Sequence, residues 1–146
     1  MILALDLGTT TGWAMSHPVI SGTLCFKAKS FESASMRYVH FRNWLHTLAR
    51  PSVVYYEEVR AHKGADAAHV YGGMLAVLHM WCEDYDVPYC GVPVGSIKSH
   101  ATGRGNASKD QMIQAAQARG WMPKDDNEAD ALWILDWALN QEKNNV

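Results

Sequence analysis

The sequence predicts an α/β domain, a mixed β-sheet flanked by helices. Two observations predict it. The first is the order of the apolar patterns: three strand-like runs, a helix, a strand, a helix, a strand and then helices. The second is size and composition: 146 residues, 48% of them hydrophobic, suit one buried core. The order matches a single sheet covered by helices on both faces, and residues 1–146 read as one domain with no repeat, linker or low-complexity tract.

The elements follow in turn. Residues 2–6 form a short apolar run that ends in an acid, Asp6. Residues 12–16 and 19–27 read as the next two strands, turned at His17-Pro18. Over residues 34–49, Met36, Val39, Leu45 and Leu48 stand at helical spacing, with Ser33 or Ser35 as the cap and Pro51 as the stop. Residues 52–56 are β-branched and aromatic, hence a strand, and acids follow it. Residues 66–85 make a long helix with small and apolar positions around much of its surface. In it Tyr71, Met74, Leu75 and Leu78 read as an apolar face for packing between protomers. Residues 87–92 form a strand, in which Pro88 suits a start or an edge. Residues 108–119 form a polar helix begun by Ser108, and residues 127–142 the last, strongly apolar one.

No apolar stretch reaches the roughly 18 residues of a membrane span, and no basic leader precedes the first strand. Cys25, Cys82 and Cys90 lack metal-type spacing and read as reduced core thiols of a cytoplasmic protein. The net charge of −2 by itself argues against nucleic acid, but the charges are sorted. Arg37, Arg42 and Arg50 lie in one acid-free stretch, Arg60 and Lys63 in a second, and Lys98, Arg104 and Lys109 in a third. Such stretches are either solvated faces or local surfaces for phosphates.

Three acidic points stand out by position: Asp6 after the first strand, Glu57 and Glu58 after the fourth, and Asp125, Asp126 and Asp130 at the start of the last helix. Neighbouring strands lie about 4.8 Å apart, so carboxylates at adjacent strand ends can share a metal. Asp126 and Asn127 each share a helix face with Asp130. Oxygen-only ligands favour Mg²⁺ or Mn²⁺. Two such ions can assist phosphodiester cleavage. Taken singly, each acid also suits a loop or a helix dipole; Glu128 reads as a helix-start charge and Asp136 as an exposed mid-helix acid.

Four segments, in order, resemble the RuvC family of Holliday-junction resolvases, of the ribonuclease H-like superfamily. Leu3 to Trp13, with Asp6, Gly8 and a Thr11-Gly12-Trp13 turn, is similar to the family's first motif. Tyr56-Glu57-Glu58-Val59 and the following Ala65 to Gly72 resemble its second acidic motif and the helix behind it. Val92 to Lys98 and Thr102 to Gln111 resemble its lysine-bearing stretch, where Gly103 and Gly105 let backbone approach a phosphate. Asp126 to Leu132 resembles its closing motif, with Asn127 where the family has the first acid. Asp-Leu-Gly-Thr-Thr alone also resembles the phosphate turn of sugar kinases and Hsp70-like ATPases, which need a second lobe.

The resemblance implies a ribonuclease H-like fold and a metal-dependent endodeoxyribonuclease that resolves four-way and related branched DNA, in recombination and repair. It implies Asp6, Glu57 and Asp130 as metal ligands, with Asp126 or Asn127 as the fourth, and two Mg²⁺ ions, or Mn²⁺ in their place. Lys98 and Lys109 are the implied catalytic lysines; Arg60, Lys63, Lys98, Arg104 and Lys109 are the expected DNA contacts. Arg60 stands where family members can carry an aromatic wedge. His62, His69 and His100 are further residues that can touch DNA, and Trp13, next to the first motif, is the tryptophan to watch. The family's helix predicts a homodimer through residues 66–82. The implied setting is the cytoplasm of a bacterial cell or phage-infected host, and a phage-type member fits the length. The alternatives are an inactive branched-DNA-binding module and a ribonuclease H-type enzyme cutting RNA–DNA hybrids.

Overall fold

The computed structural model describes residues 1–146. Its strands are β1 (Ile2–Asp6), β2 (Thr10–Met15), β3 (Ile20–Cys25), β4 (Val53–Glu58) and β5 (Tyr89–Pro93). Its helices are α1 (Met36–Thr47), α2 (Ala65–Asp84), α3 (Val94–Thr102), α4 (Lys109–Ala118) and α5 (Asp126–Asn144). The strands form one five-stranded sheet in the order β3-β2-β1-β4-β5. The first three are antiparallel hairpin partners, while β4 and β5 run parallel to β1. No helix is long and apolar enough to cross a membrane.

Strand alternation divides the interior into two cores. Ile2 and Ala4 of β1 pack with Ala129, Leu132, Trp133 and Leu135 of α5. Leu3 and Leu5 pack the other way, with Phe41 and Leu45 of α1 and Met74, Leu78 and Trp81 of α2. Helix α1 buries Phe41 and Leu45, α2 buries Met74, Leu78 and Trp81, and α5 buries a broad face from Glu128 to Ala138.

Four expectations change here. Gly12 and Trp13 lie within β2, so the turn of the first motif is the earlier Leu7–Thr9 stretch, braced by the Thr11 hydroxyl donating to the Gly8 carbonyl at 2.7 Å. Residues 94–102 of the lysine-bearing stretch, assigned to no regular element from sequence, are helix α3; Gly103 closes it with φ 80°, the left-handed geometry of a helix C-cap. Met74 and Leu78 are fully buried against this chain's own sheet and offer nothing to a partner. Of the cysteines only Cys82 is buried; Cys25 and Cys90 lie on the two edge strands and are exposed. The Ser108 cap is as expected, a full capping box with Gln111. Ser35 stands at the N-cap of α1 but makes no side-chain cap bond.

Trp13 packs on Trp44 with ring centroids 6.3 Å apart, and its indole N–H is buried without a partner.

One glycine is irreplaceable for steric reasons. A Cβ on Gly12 would overlap the backbone carbonyl of Asn127, because the start of α5 rests directly on β2. Gly12→Ala should therefore cost about 1–3 kcal/mol by overpacking, a loss of roughly 3–10 °C in Tm. Thermal unfolding followed by circular dichroism checks this; an unchanged Tm would mean that α5 does not sit on the strand.

Candidate metal centre and basic cleft

The carboxylates meet because of register. Asp6 follows Ile2 and Ala4 on the α5 side of β1. On β4, Val54 and Tyr56 point into the α1–α2 core while Val53 and Tyr55 pack on the α5 side, so Glu57 faces α5 too. Leu5 lies opposite Tyr56 in the parallel pair, and the next step sets Asp6 beside Glu57. Glu58, one residue on, faces the other way and pairs with the exposed Arg60 at 3.7 Å.

Helix α5 supplies the third acid, and its first turn is fastened to β3. Asp125 caps the helix: its Oδ1 accepts the Glu128 backbone N–H at 2.9 Å and the Thr23 hydroxyl at 2.8 Å. Glu128 accepts the Ser21 hydroxyl at 2.9 Å on one oxygen and the Lys124 backbone N–H at 2.8 Å on the other. Glu128 is thus a buried staple, 6% exposed, and not a solvated helix-start charge. Each oxygen of its carboxylate has an ordered donor, which lets the charge stay inside. Held this way, α5 brings one carboxylate oxygen of Asp130 within 4.8 Å of those of Asp6 and Glu57.

Helices α3 and α4 supply the cations. Lys98 and Lys109 line one cleft of about 270 Å³ with Asp6, Glu57, Asp126, Asn127 and Asp130. Lys109 Nζ stands 3.6 Å from an Asp126 oxygen. Asp136 of α5 ties the two lysine helices in place. It accepts the Arg119 guanidinium at 2.7 and 3.1 Å, and His100 Nε2 lies 2.8 Å from the same carboxylate. Asp136 is therefore a half-buried three-helix link, because Arg119 and His100 supply the partners that let an acid leave water. His100 is engaged there and does not face the cleft.

Burial pushes the Asp6 carboxyl well above the usual range, with Glu57 next in effect and Asp130 and Asp126 adding to it. Burial also raises Asp130, to about 7; Glu57 and Asp126 push it up, while Lys98 and Lys109 pull it down. Three carboxylates this close repel one another when charged. The donors are all oxygens, with no histidine or cysteine among them. That donor set fits a hard divalent cation, which would remove the repulsion.

Arg60, Lys63 and Arg104 are exposed outside this cleft, and the structure does not bring them to the carboxylates. His62 packs on Tyr71 with ring centroids 4.9 Å apart, and His69 is exposed. Sequence reasoning missed Tyr71 as a positioning group. Its hydroxyl donates to the Glu57 carbonyl at 2.8 Å and accepts the Val59 N–H at 3.2 Å, clamping the strand end that carries Glu57. It also missed Ser21, Thr23 and the Glu128 staple. The Asp-x-x-Glu spacing at Asp125 and Glu128 was the available signal.

A stability prediction follows from the raised acids. A folded pKa above the unfolded value means that the native state holds the proton more tightly. The stabilisation from Asp130 is fully present below about pH 4 and is lost as pH rises to about 7. In EDTA at pH 8, Asp130→Asn should therefore melt above the parent, by about 2–4 °C for each kcal/mol regained, and the gap should close toward pH 4. Calorimetry across that range checks it; a variant less stable than the parent at pH 8 would mean that the carboxylates do not repel.

No protein-family model matches the sequence, and no curated protein matches it. Solved structures do. Thermus thermophilus RuvC matches with a TM-score of 0.73 at 21% identity, over 97% of this chain and 96% of that one. T. thermophilus RuvC in complex with a Holliday junction substrate matches with a TM-score of 0.68 at 22% identity, over 91% of this chain and 88% of that one. The yeast mitochondrial Holliday junction resolvase Ydc2 matches with a TM-score of 0.63 at 14% identity, over 93% of this chain and 76% of that one. From β1 to α5, the chain has the RuvC-type ribonuclease H-like fold.

Proposed function

We propose that this protein is a metal-dependent endodeoxyribonuclease that resolves four-way and related branched DNA. The observation that carries the reading is one cleft holding Asp6, Glu57 and Asp130 together with Lys98 and Lys109, on a fold shared with a RuvC bound to a Holliday junction. Asp6, Glu57 and Asp130 would hold divalent cation, Mg²⁺ or Mn²⁺, and Asp126 joins them as the fourth charge. Bound there, the ion supplies Lewis-acid activation of water and neutralises phosphate charge.

The chain's own groups do the rest. Lys98 and Lys109 bind phosphate oxygens on the open side of the cleft and orient the backbone for in-line attack. Lys109 is held near Asp126 in the free protein and is free to turn to phosphate, since most of its side chain is exposed. Arg60, Lys63 and Arg104 lie outside the cleft and contact phosphates farther along the arms. Branch selection then comes from the shape and deformability of the junction.

A homodimer suits this substrate, because two-fold related sites can cut two-fold related strands. The face of α2 left for a partner is the exposed stripe Gly72, Ala76 and Met80. The protein acts in the cytoplasm of a cell that recombines or repairs DNA.

The first experiment incubates the protein with a labelled four-way junction, linear duplex and RNA–DNA hybrid, each with Mg²⁺ and with EDTA. Paired nicks in the junction alone, lost in EDTA, are expected. Binding without cutting would leave an inactive binding module, and cutting of the hybrid alone would leave a ribonuclease. Asp6→Asn should abolish cutting and keep junction binding. Tyr71→Phe removes the clamp on Glu57 without touching the cleft. It should slow cutting by about ten- to a hundredfold through misplacement of that carboxylate, with junction affinity unchanged. Full activity in that variant would show that the strand end needs no clamp.

A further inference from the structure

We infer that the loop between β3 and α1 carries a base-stacking element, with Phe31 as the residue that contacts an unstacked nucleobase at the branch point. The inference rests on the reading of the protein as a branched-DNA nuclease and adds a DNA contact on an element so far without a role.

The first argument is presentation. Phe31 is 83% exposed, which no packing within the chain explains. It sits third in a closed turn, where the Glu32 backbone N–H donates to the Lys29 carbonyl at 2.9 Å. The Glu32 carboxylate locks that turn from the side. It accepts the Lys29 N–H at 2.8 Å and lies 3.0 Å from His40 Nε2 on α1. An apolar ring held out in water by a braced turn is pre-organised to cover something.

The second argument is place. The Phe26 N–H donates to the Thr9 carbonyl at 2.7 Å, and Arg37 of α1 donates to the Thr9 hydroxyl at 2.9 Å. Both ends of the loop are thereby fixed to the turn that follows Asp6. The loop stands at the carboxyl ends of β1 and β4, the edge of the sheet that carries Asp6 and Glu57. The other strongly exposed aromatic, Tyr85, lies at the far end of α2, where it packs on Trp81.

The third argument is charge. From Phe26 to Arg42 the chain has Lys27, Lys29, Arg37 and Arg42 against one acid, Glu32. Glu32 already has its partners, and the Lys29 ammonium stands 5.8 Å from the Phe31 ring centroid. A ring flanked by cations matches a base flanked by phosphates, as in proteins that bind single strands by stacking. A peptide or a second copy of this chain would need a broader apolar surface than one ring.

The test measures binding in EDTA, so that no strand is cut, to a synthetic four-way junction and to linear duplex of the same arm sequence. Phe31→Ala should weaken junction binding by about tenfold, the scale of one lost stacked base, and change duplex binding less than twofold. Phe31→Trp should restore it, and 5-iodouracil at the branch point should photocrosslink to the parent at Phe31. Sedimentation of both variants checks the oligomer. Unchanged junction affinity in Phe31→Ala overturns the stacking role while junction cutting by the parent leaves the nuclease reading intact. A parent that neither binds nor cuts the junction overturns both. A variant that lost affinity by falling from dimer to monomer would make Phe31 a protomer contact and overturn the inference.

Discussion

The fastening of the first turn of α5 to β2 and β3 is the constraint on which the site depends. Strands alone bring only Asp6 and Glu57 together, since pairing sets β1 beside β4. The third carboxylate arrives on a helix more than seventy residues later in the chain, and its placement is a tertiary matter. Asp125 and Glu128 take hydroxyl donors from Thr23 and Ser21 of β3, while Gly12 lets the Asn127 backbone lie against β2. Buried polar groups must find partners, so this joint has few alternative geometries. Carboxylates that repel are thereby held close by a joint that lies outside their own cluster.

A second joint does the same for the cations. The Asp136 carboxylate gathers Arg119 and His100, and so ties the helices bearing Lys98 and Lys109 to the helix bearing Asp130. The Arg119 guanidinium also lies 5.1 Å from the Trp121 ring centroid, which adds a cation–π contact to the ion pair. The cleft is therefore a region of stored electrostatic repulsion, walled by two satisfied polar networks.

Much of this was legible from residues. Strand alternation and helical spacing gave every strand and four of the helices. Acids at strand ends, together with the spaced lysines, marked the residues that share the cleft. The rest was hidden for identifiable reasons. Residues 94–102 carry Gly95, Ser96 and Ser99 and lack a helix-length apolar stripe, so α3 forms chiefly because Ile97 docks in the core beneath it. Glu128 and Asp136 look solvated in sequence because their partners, Ser21, His100 and Arg119, lie far away along the chain. Met74 and Leu78 look like an interface only until the sheet they cover is in view.

The sequence by itself determined the α/β class, the two-sided core and the acids and lysines that come together in one cleft as candidates, because these depend on local periodicity and side-chain type. The tertiary structure decided that Asp6, Glu57 and Asp130 converge while Glu58, Arg60 and Arg104 stay outside. That choice depends on the register of a parallel strand pair and on where one helix start is clamped. Both are long-range pairings, and no short window of residues encodes either.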